Sequence, residues 1–231
     1  MMRHKAFIAA FPYTVPVLMG YLFLGIAFGV LLSSHGFHAG WAFLMSLLIY
    51  AGAMQFVAIG LLIGPFGLLN AFVLTLSVNA RHLFYGLSML EKFRVVGKFK
   101  PYMIFSLTDE TYSLLCGVKP PEGVNLKWFM FFLAALNHFY WVAGSVIGAV
   151  AGSLITFDAT GIDFAMTALF IVIFVEQWEG TKEHSPAMLG VGISIVCLLV
   201  FGAYHFIIFS MIGILCSMFL LYKKMLRRAK A

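Results

Sequence analysis

The sequence predicts an all-α, polytopic membrane bundle of six to eight membrane segments, some of them broken or re-entrant. Three observations carry that reading. First, 62% of the 231 residues are hydrophobic and only 10% are charged, with a mean hydropathy of +0.99. A soluble domain is about 45–50% apolar and about 25% charged, and it needs a polar exterior. Second, the apolar stretches are long and apolar all round, whereas barrel strands would alternate over about 10 residues. Backbone in hydrocarbon must satisfy its own hydrogen bonds, so these stretches are helices. Third, basic residues cluster: Arg3 and Lys5; Lys92, Arg94, Lys98 and Lys100; and Lys223, Lys224, Arg227, Arg228 and Lys230. The net charge of +6 thus marks cytoplasmic membrane flanks rather than a nucleic-acid surface. It places the N-terminus, loop 91–100 and the C-terminal tail in the cytoplasm.

A spanning helix needs about 20 apolar residues. The first runs from Tyr13 to Ser33. Basic residues precede it, but no small-x-small cleavage site follows, so it is a retained helix and not a signal peptide. Pro12 and Pro16 should make its start irregular. The second runs from Trp41 to Ile63, where Gly64-Pro65 ends it. The third region, 66–90, carries Asn79, Arg81 and His82. The stretch from Pro101 to Gly117 is short and holds Asp109 and Glu110, and a linker with Pro120 and Pro121 follows. Further segments run from Lys127 to Ile155, Phe164 to Trp178, Pro186 to Phe201, and Phe206 to Tyr222.

With the N-terminus inside, two full crossings return the chain to the cytoplasm near Gly64. A third by 66–90 would put Lys92 to Lys100 outside. A break or re-entrance near Asn79 removes this conflict with the charge rule; otherwise this loop departs from the rule. The 231 residues read as one membrane domain with a faint repeat, about 7–117 and 127–228. Leu24-Gly25-Ile26-Ala27-Phe28-Gly29 parallels Ala143-Gly144-Ser145-Val146-Ile147-Gly148. Ala42 to Leu48 parallels Asp163 to Leu169, which sets Gln55 opposite Glu176. Two-repeat architecture is common in transporters.

A charge at the bilayer centre costs at least ~2.5–3.5 kcal/mol on insertion scales, so it needs a partner, water or an escape to the interface. Arg81 has three readings: it snorkels, it forms a structural ion pair, or it grips a substrate carboxylate with its planar fork. His82 is a core histidine or a proton relay, and Asn79 and Tyr85 complete its cluster. Asp109 and Glu110, in Leu107-Thr108-Asp109-Glu110-Thr111-Tyr112, are the natural partners of Arg81, or else solvated acids of an interfacial helix. Adjacent positions face differently, so one acid can pair while the other stays protonatable. Gln55, within Tyr50-Ala51-Gly52-Ala53-Met54-Gln55-Phe56, is an interhelical hydrogen bond or a ligand, and the small residues around it suggest close packing or an unwound point. Asn137 and His138, and Glu176, Gln177 and Glu179, are secondary candidates. Cys116, Cys197 and Cys216 read as small buried hydrophobes without metal-ligand spacing. No zinc, Walker or nucleophile-elbow motif is present in the sequence, so the chain reads as neither an enzyme nor a cofactor protein.

Together, Gly25-Ile26-Ala27-Phe28-Gly29, Tyr50 to Phe56, Asn79-Ala80-Arg81-His82-Leu83-Phe84-Tyr85-Gly86-Leu87-Ser88 and Leu107 to Tyr112 resemble the AzlC family, the large subunit of branched-chain amino-acid exporters. The order and spacing match over residues ~7–115. The resemblance implies a bacterial inner-membrane exporter of valine, leucine, isoleucine and sometimes methionine, driven by protons. It also implies a small four-helix partner subunit of the AzlD type. The substrate or coupling residues would then be Arg81, His82, Asn79, Asp109, Glu110, Gln55, Tyr85 and Thr108. A passive channel, or a structural subunit in which Arg81 and the acids only form a buried pair, is the alternative.

Overall fold

The computed structural model describes residues 2–65, 67–154, 164–181 and 183–229. It is built from α1 (Met2–Ser34), α2 (Ala39–Leu48), α3 (Gly52–Ile63), α4 (Leu68–Met89), a 3₁₀ segment (Lys92–Phe99), α5 (Lys100–Phe105), α6 (Asp109–Gly117), α7 (Leu126–Leu154), α8 (Phe164–Glu179) and α9 (Ser185–Ala229). The all-helical membrane fold expected from composition is what forms. Among the described residues, α1, α7 and the Ser185–Gly202 part of α9 are each long and apolar enough to cross a bilayer.

The chain divides into two compact units. In the first, residues 1–65 and 78–167, α1 lies along α7. Glycines allow it. A Cβ on Gly144 would sit 3.0 Å from the Tyr21 carbonyl oxygen, and one on Gly152 3.1 Å from Val30 Cα. Gly29 and Gly148 are closer still, to the backbones of Ser145 and Ile26 respectively. Contact positions rise together along both helices, so the two run parallel. The contacts also exchange: Gly29 meets Ser145 and Gly148 meets Ile26, the positions that the faint repeat equates. Small residues let helix backbones approach where hydrocarbon removes the ordinary hydrophobic drive.

Three sequence expectations are corrected. The segment from Trp41 to Ile63 is not one span, because it breaks between α2 and α3 at Ile49–Ala51. A break near Asn79, one of the two readings of region 66–90, does not form: α4 runs unbroken from Leu68 to Met89. The reason is local. Tyr50 adopts φ 45°, a left-handed conformation costing about 1–2 kcal/mol in an L-residue. Its ring is held on His138 at 4.2 Å. The Ser46 carbonyl freed at the end of α2 accepts from His138 Nε2 at 3.3 Å, so Nδ1 is left to accept from the Tyr102 hydroxyl at 3.2 Å. Gly52 leaves room for the Trp141 ring, which would lie 3.1 Å from an added Cβ. Asn79 to His82 carry their polarity in side chains, which a helix tolerates when they find partners. The third correction is at the start: α1 begins at Met2 rather than Tyr13, with Pro12 and Pro16 inside it.

The expected acidic segment also divides, into α5 and α6, with Ser106–Thr108 between them. At one end of this unit Arg3 lies over Trp128 at 4.4 Å, Lys127 over Phe99 at 5.0 Å, and Lys92 donates to the Leu115 carbonyl. A core of Ala10, Met89, Phe93, Val96, Met103 and Phe129 lies beneath them. The start of α1, the end of α4 and the mid-chain basic loop therefore share one end.

In the second unit, residues 66–77 and 168–231, α9 is two helical runs joined at Gly202 (φ 69°). They fold back on each other, with Phe201 stacked on Phe209 at 4.0 Å and Gly213 against Ile193. Cys116 and Cys216 are exposed and Cys197 is half-buried, not buried as expected; a thiol is apolar enough to face lipid. Asp163, the side chains of Glu176 and Gln177, and those of the basic tail from Lys223 to Lys230 lie outside the described residues.

Replacing Gly148 by Val should lower the unfolding midpoint of the detergent-solubilised protein, since overpacking of this kind costs about 1–3 kcal/mol. Gly20→Ala, where an added Cβ meets nothing within 4 Å, should leave it unchanged. Thermal unfolding followed by intrinsic fluorescence checks the pair.

Candidate functional site

Arg81 and Tyr85 are four residues apart on α4 and share a face. Both reach Asp109. Arg81 Nη1 lies 2.7 Å from Asp109 Oδ2, and the Tyr85 hydroxyl donates to Oδ1 at 2.6 Å. Both oxygens of Asp109 are thus taken. Tyr85 stacks on Tyr112 at 4.4 Å, and His82 meets Tyr85 edge-on at 5.9 Å. The Arg81 and Asp109 side chains keep 24% and 30% of their surface exposed, so the pair is within reach of solvent or a ligand. Arg81 Nε and Asn79 Oδ1 are buried and make no hydrogen bond. The guanidinium therefore has an unused donor edge.

The acids are set by the start of α6. Thr108 is the N-cap, its Oγ1 accepting from the Thr111 amide at 3.2 Å. Asp109 and Glu110 fall in the first turn, where the helix dipole favours negative charge. Successive positions diverge, and the two acids part. Glu110 turns inward and accepts from the Tyr21 hydroxyl at 2.7 Å. That hydroxyl is 2.6 Å from Thr108 Oγ1, which donates to Thr111 Oγ1 at 3.0 Å. Asn137 Nδ2 donates to the same Thr111 oxygen at 3.0 Å. The chain Glu110–Tyr21–Thr108–Thr111–Asn137 joins α1, α6 and α7. Among the described residues Glu110 has no cationic partner; Arg81 goes to Asp109 alone.

Gln55 belongs to a third group. It is fully buried, donates to Ser46 Oγ at 3.1 Å and accepts from Trp141 Nε1 at 2.8 Å. Its amide ties the two sides of the broken segment to α7, and it does not touch the acids. The structure thus brings together Asn79, Arg81, His82, Tyr85, Thr108, Asp109 and Glu110, and sets Gln55 apart. Sequence reasoning passed over Tyr21, Thr111 and Tyr50. A tyrosine or threonine in an apolar run carries no charge to mark it, and only the packing of α1 on α7 shows what they meet. Glu179, at the end of α8, is exposed.

The profile of the AzlC protein family matches residues 16–155, which contain Arg81, Asp109, Glu110 and the residues that bond to them. The chain belongs to the AzlC family. Its sequence is 52% identical to the branched-chain amino acid transport protein AzlC of Bacillus subtilis over 91% of this chain and 83% of that one. It is 45% identical to an uncharacterized membrane protein of Helicobacter pylori over 96% and 97% of the two chains. The inner membrane protein YgaZ of Escherichia coli is 27% identical over 72% and 71%. No solved structure matches this AzlC-family chain.

A double-mutant cycle of Arg81→Ala and Asp109→Ala should give a coupling energy of about 1–3 kcal/mol in unfolding. Tyr85→Phe, which frees one carboxylate oxygen, should cost about 1 kcal/mol. Chemical denaturation in detergent measures both.

Proposed function

We propose that the chain is the large membrane subunit of a secondary exporter of the branched-chain amino acids valine, leucine and isoleucine, with methionine as a further substrate. In this reading it is not an enzyme, it is driven by proton entry, and it works with a small four-helix AzlD-type partner. The substrate class is that of the Bacillus subtilis relative, a branched-chain amino acid transport protein. The observation that carries the mechanism is the divergence of two adjacent acids: Asp109 is neutralised by Arg81, while Glu110 sits in a hydroxyl network without a cation. A carboxyl group placed so can hold a proton at membrane depth. The free edge of Arg81 can grip a substrate carboxylate. One observation favours a second reading, a structural subunit or passive pore: each oxygen of Asp109 is already engaged, by Arg81 and by Tyr85.

The same geometry supports a topology. The break at Tyr50 rests on His138 and Trp141, halfway along the 29-residue α7. α2 and α3 have 10 and 12 residues, about 15 and 18 Å of helix, too short to cross singly. We infer that they form a re-entrant pair open to the outside. α1 then leads out and α4 leads back in. The N-terminus and loop 91–100 both lie in the cytoplasm of a bacterial inner membrane, as the charge rule asks. The exchanging α1–α7 contacts further support two parallel repeats about an axis along the bilayer normal.

In proteoliposomes with the partner subunit, Arg81→Ala should lower leucine export at least about tenfold, and Glu110→Gln should abolish its dependence on the proton gradient. Wild-type, gradient-driven export by both variants, at normal membrane insertion, sinks the transport role of this cluster in favour of a structural pair. A cysteine placed at Gly67, in a chain whose native cysteines are replaced by serine, should react with an impermeant thiol reagent from outside the cell. Labelling confined to inverted vesicles would refute the re-entrant topology.

A further inference from the structure

Two buried polar atoms beside the Glu110 network have no partner. The Tyr50 residue is only 3% exposed, and its hydroxyl makes no hydrogen bond. Asn137 is fully buried; its Nδ2 is engaged with Thr111, but its Oδ1 is not. Buried polar groups in folded proteins nearly always find partners, so two orphans in one place call for an explanation. They are in one place. The Tyr50 ring lies 4.2 Å from the His138 ring, next to Asn137, and its hydroxyl faces the hydroxyls of Thr111 and Tyr21 without a hydrogen bond of ordinary geometry to either. Tyr50 is also the residue held at φ 45° in the helix break. The hydroxyl contributes nothing to this arrangement, since phenylalanine would place the same ring on His138. Strain and unmet polarity together commonly mark a site where a ligand completes the set.

The chemistry of the set is specific. Glu110 offers carboxylate oxygens, Asn137 an amide oxygen and Tyr50 a phenolic oxygen. All three accept hydrogen bonds. A primary ammonium group carries three N–H donors and a positive charge, which matches three acceptors of which one is anionic. The walls nearby are aromatic: Phe105 lies 6.2 Å from Tyr50 and 5.8 Å from His138, and Tyr21 lies 5.4 Å from Trp141. We propose that Tyr50 and Asn137 are ligand residues which, with Glu110, hold the ammonium group of an α-amino acid at the helix break. Arg81 takes the carboxylate end. The assignment rests on the reading that this chain transports amino acids and deepens it: a proton and an ammonium group compete for the one carboxylate of Glu110, which makes their movements exclusive and opposite.

The test is equilibrium binding of radiolabelled leucine to the full chain in detergent with the partner subunit. The competitor is 2-hydroxyisocaproate, which is leucine with a hydroxyl in place of the ammonium. Wild type should bind leucine and be displaced poorly by the hydroxy acid. Tyr50→Phe should weaken leucine binding by about ten- to a hundredfold, the worth of a hydrogen bond to a charged group. Its unfolding midpoint should stay the same or rise, because no bond in the resting structure is lost. Asn137→Leu should weaken leucine binding as well, with a lower midpoint because Thr111 loses one of its two donors. Leucine binding by Tyr50→Phe equal to wild type assigns the orphan atoms to an ordered water and overturns the proposal. So does equal binding of leucine and the hydroxy acid by wild type. Wild type that binds no amino acid overturns the transport reading itself, and this assignment with it.

Discussion

α1 and α7 touch backbone to backbone, and the first unit is arranged around that contact. With a side chain larger than hydrogen at Gly29 or Gly148 the helices would have to separate. Close approach brings the inward faces of both helices to one line. On that line stand Thr14 and Tyr21 from α1, and Asn137, His138, Tyr140 and Trp141 from α7. Thr14 and Tyr140 already bond across it at 3.0 Å. Tyr21 is left to meet α6, His138 and Trp141 to meet the break, and Asn137 to meet Thr111. In hydrocarbon, where apolar burial gives helices no reason to prefer each other, such packing and a few polar bonds supply the association.

The broken segment follows from this frame. Interrupting a helix at membrane depth leaves carbonyl and amide groups without partners, which lipid cannot satisfy. α7 supplies the replacements: the His138 ring for the Ser46 carbonyl, the Trp141 indole for Gln55, and an aromatic face for Tyr50. His138 thus meets the backbone at the break, and Gln55 ties the Ser46 and Trp141 side chains beside it, rather than either acting on the acids. The acids stand at another helix start, that of α6, so a broken helix and a short helix flank the same interior. Membrane transporters commonly build their sites from such discontinuous helices near mid-bilayer.

The polar residues divide by what they already hold. Asp109 has each of its oxygens engaged, by Arg81 and Tyr85. Glu110 accepts from the Tyr21 hydroxyl. Tyr50 and Asn137 keep buried atoms that make no hydrogen bond among the described residues. This gradient runs from engaged to unengaged groups. It separates two neighbours, Asp109 and Glu110, that composition treats alike.

Sequence alone determined that lipid is the solvent and that the elements are helices, and it pointed to the acids at 109–110 as candidate partners of Arg81. Hydropathy and charge are properties of residues, and an uncompensated charge in an apolar run demands a partner wherever it folds. The start of α7 was legible for the same reason, since its largely apolar run begins after a polar linker. The tertiary structure decided which acid takes Arg81, and where the membrane segment breaks. Both depend on groups distant in sequence. α4 stays helical through Asn79 because its polar side chains find Asp109 from outside the helix. The chain breaks at Tyr50 because His138 and Trp141, some ninety residues on, satisfy what the break exposes. Tyr21, Tyr50 and Thr111 were silent in the sequence, because a neutral hydroxyl carries no mark of function until packing shows which of its bonds are made and which are missing.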